Sequence, residues 1–178
     1  MKERQGKEEG GGISGKLPGL VVLDLDFTLW DCGGRWVDCV SPPFFSDAEG
    51  SVRDQTGAEM RLYDEVTEIL DFFQQLEIPL AVASRTTDPP LARQLMGLLG
   101  IAGRFEYEEI YPGSKVQHFR AIRGRFSGSS YREMLFFDDE DRNIKEVSGL
   151  GVESHLVAAG LGWPVVRRAL KKFEVRVE

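Results

Sequence analysis

The stretch Leu20-Val21-Val22-Leu23-Asp24-Leu25-Asp26-Phe27-Thr28 constrains this chain more than any other. An apolar run this short, built of Val and Leu and opening onto acidic residues, fits a strand buried on both faces, and such strands belong to parallel sheets. Parallel neighbours need a crossover, usually a helix, so the remainder must alternate strand with helix. It does. Val66, Ile69, Leu70, Phe73 and Leu76 recur at helical spacing, followed by a strand over 79–83. Asp88 or Thr87 then caps a helix with proline in its first turn, carrying Leu91, Leu95 and Leu98. An extended piece over 108–111 precedes Ser114, which caps a helix through Phe119 and Ile122. A strand over 134–137, a helix through Ile144 and Val147 ending at Gly149, a strand over 152–157 and a helix over 164–173 complete the series. The expectation is an α/β fold: a five-stranded parallel sheet with helices on both faces.

Two segments break the alternation. Residues 1–16 are Gly, Lys and Glu with few apolar anchors, so they cannot repay the entropy of ordering and read as a flexible tail before a domain over 17–178. Residues 31–62 hold the turn signals Asp47-Ala48-Glu49-Gly50 and Asp54-Gln55-Thr56-Gly57 between short apolar pieces, which predicts a small β-hairpin insertion. Composition narrows the partners. With Asp+Glu 29 against Lys+Arg 22, the net charge of −7 argues against nucleic acid and anionic membrane surfaces. Cys32 and Cys39, without a secretory segment or further Cys/His ligands, read as free thiols in a reducing compartment such as the cytoplasm. A monomer or weak homo-oligomer is expected.

The unusual polar residues share one position in this pattern: the carboxyl end of a predicted strand. Asp24 and Asp26 follow the first, Ser84 and Arg85 the second, Asp138 and Asp139 the fourth, and Lys115 opens the helix after the third. Open α/β sheets bind ligands in the crevice outside those ends, so residues far apart in sequence converge there. Four aspartates against two cations leave −2, which a bound phosphate dianion would deepen to −4. Like unit charges about 4 Å apart cost about 4 kcal/mol at intermediate dielectric, so a divalent cation must intervene. The available ligands are oxygens, which favours Mg2+ over zinc. In this arrangement Lys115 faces the phosphate, while Ser84 and the backbone N–H groups after Asp24, beginning with Leu25, donate to its oxygens. Asp24 is placed to attack phosphorus, and Asp26 to supply and retrieve a proton.

Asp24-Leu25-Asp26-Phe27-Thr28, Ser84, Lys115 and Asp138-Asp139, in that order at strand ends, resemble the four motifs of the haloacid dehalogenase (HAD) superfamily of aspartate-nucleophile phosphatases. Leu29-Trp30, Ala83-Ser84-Arg85-Thr86, Ile110-Tyr111-Pro112-Gly113-Ser114-Lys115 and Phe136-Phe137-Asp138-Asp139-Glu140-Asp141-Arg142-Asn143-Ile144 look like its magnesium-dependent phosphatase family. The resemblance implies a three-layer Rossmann-like, HAD-like fold with a small hairpin cap. It also implies Asp24 as nucleophile and Asp26 as acid/base, with Ser84 and Lys115 binding phosphate; Arg85 and the Leu25 backbone are further candidates for binding phosphate or substrate. Mg2+ would lie among Asp24, the Asp26 carbonyl and the acidic pair, with Asp139 in direct contact and Asp138 in support. The implied substrates are phosphotyrosine and phosphorylated sugar (fructosamine phosphate) groups of proteins. The segment around Trp36 is longer than the family pattern, which leaves Trp36 as either packing or a substrate contact. The rival readings are a small-metabolite sugar phosphatase and a catalytically silent phosphate- or partner-binding module.

Overall fold

Leu20–Leu23 forms strand β1, with every side chain buried as a run covered on both faces requires. In the computed structural model, which describes residues 17–126 and 130–177, the chain then turns into β2 (Trp30–Asp31), a 3₁₀ turn (Val37–Cys39), β3 (Phe45–Ser46), β4 (Val52–Arg53) and β5 (Glu59–Leu62). Next come α1 (Val66–Gln75), β6 (Leu80–Ser84), α2 (Pro89–Leu98), β7 (Tyr107–Ile110) and α3 (Lys115–Arg125). The chain ends with β8 (Met134–Asp138), α4 (Asp141–Ser148), β9 (Glu153–Leu156) and α5 (Trp163–Val177). The expected tail over 1–16 lies outside the described residues.

The main sheet has the order β7-β6-β1-β8-β9 with every pair parallel, and Val22 lies opposite both Ala81 and Phe136. Because β1 points its side chains alternately, Val21 and Leu23 join α1, α2 and α5 in one core, while Leu20 and Val22 join α3 and α4 in the other. The connections run outward from β1 to β7 and then return to β8 on its other side. That reversal beside β1 is the switch point at which such sheets open a crevice.

Local caps fix where the helices begin. Asp88 accepts from Leu91 N at 3.0 Å with Pro89 in the first turn, while Thr87, the alternative cap, is engaged elsewhere. Ser114 and Gln117 form a reciprocal capping box, which sets Lys115 as the first residue of α3. Among the described residues no helix is long and apolar enough to cross a membrane.

The segment expected as a hairpin is a four-stranded antiparallel sheet of order β2-β5-β4-β3. Its additional strands are two residues long, too short to show an alternating pattern in sequence. Asp54 ties it together. Its fully buried carboxylate accepts from Thr56 N (2.9 Å), Thr56 Oγ1 (2.6 Å), Ala58 N (3.1 Å), Ser41 N (3.0 Å) and Arg35 Nη2 (3.0 Å). Burial alone would raise this carboxyl, but the bonds from Thr56, Ser41 and Ala58 overcome it and hold Asp54 well below the usual carboxylate range.

Candidate active site

The chain leaves β1 through a tight turn in which the Leu25 carbonyl accepts from the N–H groups of Thr28, Leu29 and Trp30. Phe27 takes φ 57°, a left-handed conformation costly for a bulky residue and concentrated at functional sites. The turn folds Trp30 back onto Asp26, whose Oδ1 accepts from Trp30 Nε1 at 2.7 Å and from Val37 N at 2.8 Å. Both bonds fall on one oxygen. Oδ2 accepts none among the described residues, and Asp26 lines the cavity at the sheet's carboxyl edge. Burial pushes the Asp26 carboxyl up to about 6 against the pull of Trp30 and Val37.

Lys115 enters from the first turn of α3 and is 1% exposed. Its Nζ bonds Asp24 Oδ1 and the Ala83 carbonyl, lies 3.0 Å from Asp138 Oδ2 and stands 5.7 Å from the Phe136 ring centroid. Burial would lower this ammonium, but Asp24 and Asp138 outweigh it and keep Lys115 charged. Asp24 moves upward: its burial and the neighbouring Asp138 exceed what Lys115 can offset. One cation cannot neutralise two buried carboxylates. Asp138 is saturated, with Oδ1 accepting from Glu140 N (2.8 Å) and Asn143 Nδ2 (2.9 Å), and Oδ2 lying 3.1 Å from the same amide. Asp139 is half-buried beside it, its carboxyl raised to about 6 by burial and by Asp138.

At the end of β6, Ser84 is buried and its Oγ accepts from Thr86 N at 3.4 Å. Arg85 is fixed by Nε donating to the Gly113 carbonyl (3.0 Å) and Nη1 to Asn143 Oδ1 (3.3 Å). These residues, with Trp36, Asp38, Glu140 and Arg142, enclose a polar cavity of about 210 Å³. Trp36 forms its rim, 54% exposed, with its ring edge-on to Phe27 at 6.1 Å.

The structure thus brings Asp24, Asp26, Ser84, Arg85, Lys115, Asp138, Asp139 and Trp36 to one place. Leu25 differs: its side chain is wholly buried in the core and absent from the cavity lining, which leaves only its backbone for a ligand. Asp24, Asp138 and Asp139 each offer a carboxylate oxygen, all within 4.8 Å of one another, a donor set suited to a hard divalent cation. The Asp26 carboxylate stands outside that group. Asp38, Thr86, Glu140 and Arg142 also line the cavity; the last three stand within the motif stretches without having been assigned a role, and Asp38 lies outside every motif. Asn143, in the first turn of α4, orients Asp138 through its side-chain amide.

Residues 16–176 match the family described as Acid Phosphatase. The chain is 43% identical over 159 residues to human magnesium-dependent phosphatase 1, covering 89% of this chain and 88% of that protein. It is 40% identical over 149 residues to a HAD-like hydrolase superfamily protein of Schizosaccharomyces pombe, covering 77% and 84% respectively. A HAD-superfamily hydrolase from Ehrlichia chaffeensis shares the fold with a TM-score of 0.60 at 14% identity, covering 93% of this chain and 100% of that one.

Proposed function

This chain belongs to the Acid Phosphatase family, and from that premise we propose that it hydrolyses phosphomonoesters through an aspartyl-phosphate formed on Asp24. It is a magnesium-dependent phosphatase of the haloacid dehalogenase superfamily. The observation that carries the proposal is the meeting of Asp24, Asp138 and Lys115 at the sheet's switch point, with Asp26 anchored beside them by one oxygen.

Asp24, Asp139 and the Asp26 backbone carbonyl would hold Mg2+, with Asp138 in support because its oxygens are already engaged by Asn143, Glu140 and Lys115. When bound, the ion supplies positive charge that lets an acidic side chain approach an anionic ester. Lys115, Ser84, Arg85 and the Leu25 backbone N–H hold the phosphoryl oxygens. An Asp24 oxygen attacks phosphorus while the bond to the ester oxygen breaks, and Asp26, through its free Oδ2, gives that oxygen a proton. Asp26, now a carboxylate, takes a proton from water; the water oxygen attacks phosphorus, the Asp24–phosphorus bond breaks and phosphate leaves.

The four-stranded sheet over residues 30–62 serves as the cap, and it is small. The cavity is about 210 Å³, below the roughly 300 Å³ from which pockets that enclose whole small molecules run. That favours leaving groups that extend beyond it, such as phosphotyrosine and phosphorylated sugar groups on proteins, with Trp36 at the rim against that group. Hydrolysis of an aryl phosphate by wild type and Asp24→Asn, with and without magnesium, tests the chemistry: equal rates in the two proteins would remove Asp24 as nucleophile. Phosphopeptides and phosphosugar-modified proteins set against free sugar phosphates test the substrate class.

A further inference from the structure

The 3₁₀ turn that donates Val37 N to Asp26 is itself clamped to a distant loop. Asp38 Oδ2 accepts from Thr87 N at 3.0 Å and from Thr87 Oγ1 at 2.7 Å, across 49 residues of sequence. Thr87 follows Ser84, Arg85 and Thr86, so the clamp joins the insertion to the loop that lines the phosphate end of the cavity. On its other side the turn is held by Arg35, which bonds Asp54 Oδ2 at 3.0 Å and reaches the Cys39 carbonyl at 3.5 Å. We propose that Asp38 and Thr87 form a latch that positions Asp26 for proton transfer.

The inference rests on the role proposed for Asp26 and goes beyond it. An acid must hold its working oxygen within hydrogen-bond reach of the leaving atom. Asp26 lines the cavity with Oδ1 fixed by Trp30 on one side and by Val37 on the other, which leaves Oδ2 as its working oxygen. Trp30 opens β2, where its own N–H is tied to the Leu25 carbonyl beside β1, but the place of Val37 N depends on where the 3₁₀ turn settles. Burial of the Val37 side chain holds the turn against the core, so opening the latch loosens the Val37–Asp26 bond without releasing the turn. Asp38 is thus a positioning residue, acting through Val37. It makes the acid's alignment depend on the loop that carries Ser84 and Arg85.

The test compares para-nitrophenyl phosphate, whose leaving group needs little protonation, with β-glycerophosphate, whose alkoxide needs a full proton. In the magnesium-loaded enzyme, Asp38→Ala should lower kcat on β-glycerophosphate about tenfold more than on para-nitrophenyl phosphate, with KM for both nearly unchanged. Asp38→Asn keeps an acceptor oxygen and should recover most of that loss. Thr87→Val, which removes the hydroxyl and keeps the backbone N–H, should show a smaller loss of the same selectivity, and Thr87→Ser should restore it. It also serves should Asp38→Ala fold poorly. Equal losses on the two substrates in Asp38→Ala and Thr87→Val, or a change in KM alone, would overturn the latch. Asp26→Asn sets the reference: if its loss is the same for both leaving groups, the acid role itself fails. If Asp26→Asn is selective and the latch variants are not, only the latch falls.

Discussion

Replacing Lys115 by Met removes the one cation in contact with two buried carboxylates and keeps much of the side chain's length. Lys115 is 1% exposed, and its loss leaves Asp24 and Asp138 facing each other with the Ala83 carbonyl unpaired. Breaking a buried ion pair from one side costs about 3–5 kcal/mol. In a domain of this size each kcal/mol moves the melting temperature by about 2–4 °C, so magnesium-free Lys115→Met should melt roughly 6–20 °C below wild type. The pH dependence has a definite sign. A raised ammonium contributes its stability fully below the ordinary lysine pKa of 10.5 and loses it only on the alkaline side, so the whole effect is present at neutral pH. Magnesium should return part of the loss, since a cation at 100 times its Kd adds about 2.7 kcal/mol. Thermal melts followed by circular dichroism, in EDTA and then in magnesium, measure both quantities. A fall of less than about 2 °C in EDTA, or a variant that magnesium stabilises less than it does wild type, would refute this account of the buried charges.

Asn143→Ala strips Asp138 of both amide contacts and removes one partner of Arg85, which keeps the Gly113 carbonyl, so the magnesium concentration for half-maximal activity should rise about 10–100-fold. Asp54→Ala leaves Thr56, Ser41, Ala58 and Arg35 without their acceptor and should cost about 2 kcal/mol or more by urea titration. Because the Asp54 carboxyl is depressed, its contribution is present above about pH 4 and lost below, so Asp54→Asn should flatten the acid limb of the stability curve. Burial lowers His118 to about 4, so this group alone withdraws stability as pH falls from about 6.5 toward 4, opposite in sign to the raised carboxyls of Asp26 and Asp139. The stability of His118→Gln relative to wild type should therefore rise as pH falls through that window.

The parallel sheet was legible because its strands are unmixed apolar runs and because Asp88 and Ser114 announce the helices they cap. The convergence of Asp24, Ser84, Lys115 and Asp138 followed from their shared place at strand ends, which topology translates into proximity. Strands β2, β3 and β4 were not legible, since a pair of residues carries no period. Leu98 sits on the helical repeat yet is 41% exposed, because the buried stripe of α2 runs through Leu91, Ala92, Leu95 and Met96 and leaves Leu98 at its edge. Nothing local marks Asp38 either. Its partner Thr87 reads as a candidate cap, and only the folded chain shows that Asp88 caps the helix while Thr87 turns to Asp38. Asp26 likewise owes its orientation to Trp30 and Val37, a pairing set by the left-handed Phe27 and by the insertion.

The most direct measurement is to identify the residue that carries phosphorus during turnover. Wild-type enzyme quenched in mid-reaction on an aryl phosphate, reduced with borohydride and digested, should show homoserine in place of Asp24, with Asp26 and Asp139 unmodified. Reduction at another carboxylate, or full turnover with no reducible acyl phosphate at Asp24, would contradict the account.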